Sequence, residues 1–194
     1  MTELYYAQLC AATREFVGLS SEREALLHAL APLVAPALDS VTDHFYHHLQ
    51  KIARAAPFLE GRLPQLRRTH RAALAEMFTA TYDKDYVERL YRVGDAHVRA
   101  RMPIEFMTGG MTLTGEALIP IIVGLHADKV PQHAACSAVN AAMGFSLMIM
   151  QESYQLSRLV DEQERFLKVT GISRELFQNL AATHRTLGKD PGAA

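Results

Sequence analysis

His97 is the residue of this sequence with the most chemistry to offer. It continues the helical stripe Leu90, Val93 in steps of three and four, which aims its ring at the interior among apolar neighbours. A neutral imidazole held in that way is a good axial ligand for an iron macrocycle. The small residues Gly94, Ala96 and Ala100 beside it would let a flat ring approach the helix. The competing explanation is a core histidine hydrogen-bonded to a carbonyl, the usual fate of a buried imidazole. Spacing alone does not choose between the two.

Tyr46 stands beside Phe45 at the edge of the stripe Leu38, Val41, Phe45, Leu49, Ile52, where a ring lies half in the core and its hydroxyl seeks a partner. An ordinary core-edge tyrosine accounts for it as well. Leu66 and Thr69 share a helical face and offer an apolar blocker and a short hydroxyl at neighbouring heights, although Thr69 can simply return its hydroxyl to the carbonyl four residues back. His44, His47 and His48 have a spacing that can chelate zinc from one helix. No motif fixes a carboxylate or cysteine partner for them, and a solvated helix face explains them too. Cys10 and Cys136 lie far apart without a CxxC, which reads as two reduced thiols rather than a disulfide framework or a structural zinc site. A Gly-rich phosphate loop, a nucleophile elbow and an HExxH are all missing from the sequence, so hydrolase and transferase chemistry has no foothold and no enzymatic activity is expected.

Helices must position these groups. Apolar residues recur at three and four almost throughout, with little alternation at two, which predicts an all-α fold. A short N-terminal helix precedes Ser21-Glu22-Arg23-Glu24, which reads as a capping box with Ser21 as the cap and Glu24 reaching back. The stripe from Leu38 ends before Pro57. A third helix runs from about Pro64 to Thr81 with Leu66, Thr69, Ala73 and Met77 along one face, and a fourth starts near Tyr86 and stops near Pro103. Ile104 to Leu125 forms a long apolar helix that Pro120 should kink or divide, Pro131 opens the longest helix, to about Val169, and Ile172 to Thr186 form a last amphipathic segment. The final GKDPGAA is expected to fray.

At 194 residues the chain suits one domain with a single core. Residues 1–169 are expected to form it, with 170–194 a short helix or linker and a tail. Twenty basic against twenty-one acidic side chains leave a net charge of -1, without the basic excess that nucleic-acid binding requires. The unbroken apolar runs fall short of the roughly 20 residues of a membrane-spanning helix, and the N-terminus has no secretory pattern. No membrane insertion and a cytoplasmic location are expected.

With these residues in view, the run YVERLYRVGDAHVRARMPIEFMTGGM, Tyr86 to Met111, resembles the proximal-helix region of the globin-coupled sensor family, and DHFYHHL, Asp43 to Leu49, resembles that family's distal-tyrosine helix. The likeness extends over roughly Ser21 to Tyr154. It implies a globin-like fold with an extra N-terminal helix and long C-terminal helices, holding haem b. It also implies His97 as the proximal iron ligand and Tyr46 as the distal hydroxyl facing bound O2, CO or NO. Leu66 and Thr69 match distal positions, Phe45 and Met77 further parts of the wall, and Val93 and Gly94 the proximal helix face. The family typically dimerises through its last two long helices, here those from Ile104 and Pro131. The stripe Val139, Met143, Leu147, Met150, Tyr154 offers a seam, unless Met-rich core packing uses it instead.

The function expected on this basis is a haem-based gas sensor that passes its ligation state to a partner or an output domain. Family members usually carry a cyclase, kinase or chemotaxis output, and 194 residues leave no room for one. The chain is then either an excised sensor domain, with Ile172 to Thr186 the start of a linker, or a stand-alone sensor globin. A gas-storing or NO-detoxifying globin and a haem-free helical adaptor are the alternatives.

Overall fold

The computed structural model describes residues 2–125 and 131–187, the last six in backbone only, so the tail expected to fray lies outside the described residues. Helix α1, Glu3–Phe16, starts where the Thr2 hydroxyl accepts from the Tyr5 amide at 3.3 Å. Gly18, at φ +64°, then turns the chain into α2, Ser21–Val34. The cap of α2 is Ser20, whose Oγ accepts from the Arg23 amide, and this corrects the capping box expected on Ser21. Ser20 is as good a cap by type, and the left-handed turn delivers it in extended geometry. Glu24 bonds the Arg14 guanidinium at 2.7 Å and accepts from the Tyr82 amide. A charge-assisted bond of that kind outcompetes a reach back to the cap.

After a single turn at Ala35–Ala37, α3 runs Leu38–Leu49, and a second turn, Ala53–Ala55, leads to the one-turn α4, Ala56–Leu59. Pro64 sits in the first turn of α5, Leu63–Thr79, where its missing N–H costs nothing. Asp83 caps α6, Lys84–Arg99, accepting from the amides of Asp85 and Tyr86 at 3.0 Å each. Arg101, a non-glycine at φ 54°, closes that helix. Helix α7, Glu105–Gly124, runs through Pro120 without dividing there. The longest helix is α8, Gln132–Thr170, followed after Gly171 (φ +71°) by α9, Arg174–Leu187. The described residues hold helices and turns and no strand, so the chain is all-α as the periodicity predicts.

Two compact units divide at Tyr154, inside α8. In the first, residues 1–154, α3 packs on α5 and α7, α2 on α5, and α1 on α6. The core centres on Leu27, Val34, Phe78, Tyr82, Tyr86, Phe145 and Ile149. Tyr82 meets Tyr86 and Phe145 edge-on at 5.0 and 5.2 Å between ring centres. In the second unit Phe166 meets Phe177 at 6.0 Å, and Arg174 pairs with Glu164.

Val139, Met150 and Tyr154 are buried within the first unit, and the Tyr154 hydroxyl donates to the Met102 carbonyl at 2.9 Å. The stripe offered as a dimer seam is therefore mostly the chain's own core, because α6 and α7 already cover it. Exposed apolar residues on α8 begin later, at Leu159 and Val160. The spans Ser21–Leu49, Glu105–Gly124 and Gln132–Thr170 are long and apolar enough, by length and composition, to cross a membrane. That differs from the expectation drawn from unbroken runs, since an average over a whole helix tolerates scattered polar residues.

Candidate functional site

A cavity of about 310 Å³ opens between α3, α5, α6 and α7, with Ser146 and Met150 of α8 at its back. It falls within the ~300–1,000 Å³ usual for small-molecule sites. Its walls are overwhelmingly apolar. From α3 come Phe45, Tyr46 and Leu49; from α5 Leu66, Thr69, His70, Ala73, Leu74 and Met77. From α6 come Tyr86, Leu90, Val93 and His97, and from α7 Phe106, Met107, Gly110, Met111 and Thr114. Gly110 allows α7 to sit close to α3, since a Cβ there would lie 3.3 Å from the Phe45 ring.

His97 lines the cavity, and its Nδ1–H donates to the carbonyl of Val93, one turn back, at 2.7 Å. A carbonyl only accepts, so the proton is on Nδ1 and Nε2 keeps its lone pair. Burial pushes the pKa of His97 down, and the Val93 carbonyl partly opposes this. The ring is therefore a neutral base. The carbonyl bond that was the competing explanation for a buried histidine is present, and it is also the bond that orients a metal-ligating imidazole.

Tyr46 is 5% exposed, and its hydroxyl has no protein partner among the described residues. Burial raises its pKa to about 12, so the phenol stays a proton donor at neutral pH. Its ring rests edge-on against Phe45 at 5.0 Å. Leu66 and Met77 line the same side. Thr69 reaches the wall, but its hydroxyl donates to the carbonyls of Gln65 and Leu66, four and three residues back. That leaves it as a spacer with its proton already engaged. Exposed ion pairs, Arg71 with Asp39 and Arg67 with Asp43, tie α5 to α3 along the outer rim.

Gly94 requires a correction. It does not line the cavity but turns to α8, where a Cβ would lie 2.4 Å from the Met150 carbonyl oxygen and 2.7 Å from the Ser153 Cβ. Its smallness serves the approach of two helices. Ser153 completes that contact, its Oγ donating to the Tyr91 carbonyl at 2.6 Å and lying 2.9 Å from Asp95. Ala96 and Ala100 do not line the cavity either. His44, His47 and His48 are exposed on α3, and no set of three His, Cys, Asp or Glu side chains able to hold a metal occurs among the described residues.

The residue that sequence reasoning missed is His70. It lines the cavity, stacks on Phe45 at 4.3 Å between ring centres and stands edge-on to Tyr46 at 5.7 Å. The stripe Leu66, His70, Leu74, Met77, at steps of four, four and three, would have found it. Attention to Leu66 and Thr69 followed the neighbouring face instead.

A group that fills this slot meets a lone-pair nitrogen from α6, a hydroxyl donor from α3, the His70 ring from α5 and walls that are otherwise mostly apolar. Comparison with known proteins identifies the fold that builds it. The fold is similar to the globin domain of the Geobacter sulfurreducens globin-coupled sensor, with 27% identity over 74% of this chain and 96% of that one, at a TM-score of 0.69. It is also similar to the globin domain of E. coli DosC, in its ferric form (17% identity, 73% and 99% coverage, TM-score 0.63) and its ferrous form (19%, 72% and 97%, 0.56). At those lower identities the DosC matches speak for the fold alone. No curated protein matches the chain. The family model named Protoglobin matches residues 7–159, most of both the sequence and the first unit, and the chain accordingly belongs to the Protoglobin family.

Proposed function

We propose that the chain binds haem b in this cavity and serves as a gas-sensing globin domain, taking O2, CO or NO. The observation that carries the reading is the pairing of His97 with the Val93 carbonyl at 2.7 Å. It leaves a neutral imidazole nitrogen as the one strong metal donor that α6 sends into an apolar slot. The residues present fit a flat, largely apolar macrocycle. Leu90 and Val93 offer aliphatic contact beside His97, and Phe45, Leu66 and Met77 offer it from α3 and α5. Haem, when bound, supplies an iron atom with an open position for a diatomic gas.

The chain's own residues do the rest. His97 would hold the iron through Nε2, since its Nδ1–H bond to the Val93 carbonyl fixes the ring and leaves that nitrogen's lone pair free. Tyr46 keeps its proton, because burial raises its pKa, and would offer it to a gas whose outer atom is partly negative. The aliphatic and aromatic walls exclude water, which strengthens that bond. For sensing, the ligand must favour one of two arrangements of the protein unequally. Helix α6 is the natural carrier, because it bears His97 and touches α8 directly at Gly94. A homodimer through the long C-terminal helices is part of this proposal. Its apolar surface would come from Leu159, Val160, Phe166 and Val169 rather than from the buried stripe.

The test is an absorption spectrum of the purified protein. A Soret band is expected in the wild type, and His97→Ala should lose it while keeping its helical circular dichroism. A protein that takes up no haem on reconstitution, or a His97→Ala variant with an unchanged reduced spectrum, refutes the reading.

A further inference from the structure

Three successive residues of α8 each hold a different part of the fold. Glu152 accepts from the Tyr5 hydroxyl of α1 at 3.1 Å. Ser153, fully buried, donates to the Tyr91 carbonyl of α6 at 2.6 Å and lies 2.9 Å from Asp95. Tyr154, 6% exposed, donates at 2.9 Å to the Met102 carbonyl, in the corner between α6 and α7. Other hydroxyls on helices, those of Thr79, Thr112, Thr114 and Ser146, return their protons to the carbonyl four residues back in their own helix. Ser153 reaches across to another helix instead.

His97 stands between the two carbonyls so held, six residues after Tyr91 and five before Met102. Met102 in turn gives its N–H to the His97 carbonyl at 3.0 Å, across Arg101 at φ 54°. A left-handed angle is unfavourable for a residue with a Cβ and persists only where its surroundings fix it. The Met102 carbonyl lies beyond the end of α6, and among the described residues no main-chain N–H reaches it. The Tyr154 proton satisfies it. Gly94, midway between Tyr91 and His97, lets the two helices close, since a Cβ there would lie 2.7 Å from the Ser153 Cβ. Neither Ser153 nor Tyr154 lines the cavity, so whatever they do to a group bound there passes through α6.

We propose that Ser153 and Tyr154 are positioning residues for His97. They fix α6 on both sides of the imidazole against one turn of α8, and the same bonds pass a displacement of His97 back to α8. The inference rests on the haem reading above and names the atoms that couple the two helices in it.

The experiment uses the full chain loaded with haem, reduced and free of gas. Tyr154→Phe and Ser153→Ala remove the hydroxyls and keep the ring and the Cβ, so helical circular dichroism should be unchanged. Resonance Raman spectra should show the iron–histidine stretching band displaced in both variants, and further in the double variant. Hydrogen exchange should show the Met102 amide exchanging about 2- to 12-fold faster in Tyr154→Phe, the range for one neutral hydrogen bond. Arg14→Met, which loosens the fold at α1 and α2 instead, should leave the band in place. A band that stays put in both hydroxyl variants, or that moves equally in Arg14→Met, overturns the proposal and leaves the haem reading standing. If Tyr154→Phe does not fold, Ser153→Ala alone decides between these outcomes. A protein without a Soret band overturns both readings.

Discussion

Replacing Gly94 by alanine tests how closely the helix that bears His97 is seated. The added Cβ would stand 2.4 Å from the Met150 carbonyl oxygen, 2.7 Å from the Ser153 Cβ and 2.9 Å from its Oγ. The serine could rotate. The carbonyl belongs to the α8 backbone and cannot, so α6 must move. Overpacking of this kind costs about 1–3 kcal/mol, and a clash with main chain belongs at the upper end. Alanine returns about 1 kcal/mol through its helix propensity. The net is a loss of about 2 kcal/mol, or a Tm lower by about 4–8 °C for a unit of this size. Gly109, on α7, is the control, because a Cβ there meets nothing within 4 Å. The same substitution at 109 should stabilise by about 0.4–1 kcal/mol. Thermal unfolding of the two variants followed by circular dichroism reads the contrast. A Gly94→Ala protein that melts at or above the wild type would refute the close approach as a constraint.

Tyr46→Phe should raise the O2 dissociation rate about 10- to 150-fold, the range for a charge-assisted bond of about 1.5–3 kcal/mol, and leave CO release nearly unchanged; equal effects on both gases count against the phenol as donor. His70 makes the haem-free protein acid-sensitive: its folded pKa of about 4 lies below the unfolded value of 6.5, so the unfolded chain takes up a proton that the folded ring refuses. Its contribution is whole above pH 6.5 and declines by about 3 kcal/mol on the way down to 4. Urea titrations across that window should be flatter for His70→Leu than for the wild type, and parallel curves would exclude His70 as the source. Arg14→Met should cost about 1–3 kcal/mol, since Arg14 bonds both Glu24 (2.7 Å) and the Tyr82 carbonyl (2.8 Å) in a half-buried setting. Combined with Glu24→Gln it should cost less than the sum of the single changes, and strict additivity would mean that the pair is not coupled.

Helices were legible wherever local chemistry sets them: Pro64 in the first turn of α5 and Gly171 before α9 mark their own positions, while α6 starts at Lys84, inside the turn expected before Tyr86, because Asp83 caps it. The cap of α2 was read one residue late because Ser20 and Ser21 are equivalent by type, and only the turn at Gly18 separates them. Long-range neighbours account for the other differences. Whether Gly94 faces a cavity or a helix depends on where α8 passes, and so does the fate of Val139, Met150 and Tyr154. Periodicity pointed at the faces carrying His97 and Phe45. It could not reveal that Thr42, on another helix, would meet His70.

The acceptor that orients His97 is a main-chain atom. No exchange of the side chain at position 93 can delete it, so the imidazole keeps its setting through any drift in sequence that leaves this turn of helix intact. The His70 ring leans instead on a side chain, the Thr42 hydroxyl, so one substitution there removes its partner and leaves that wall of the pocket the easier to retune.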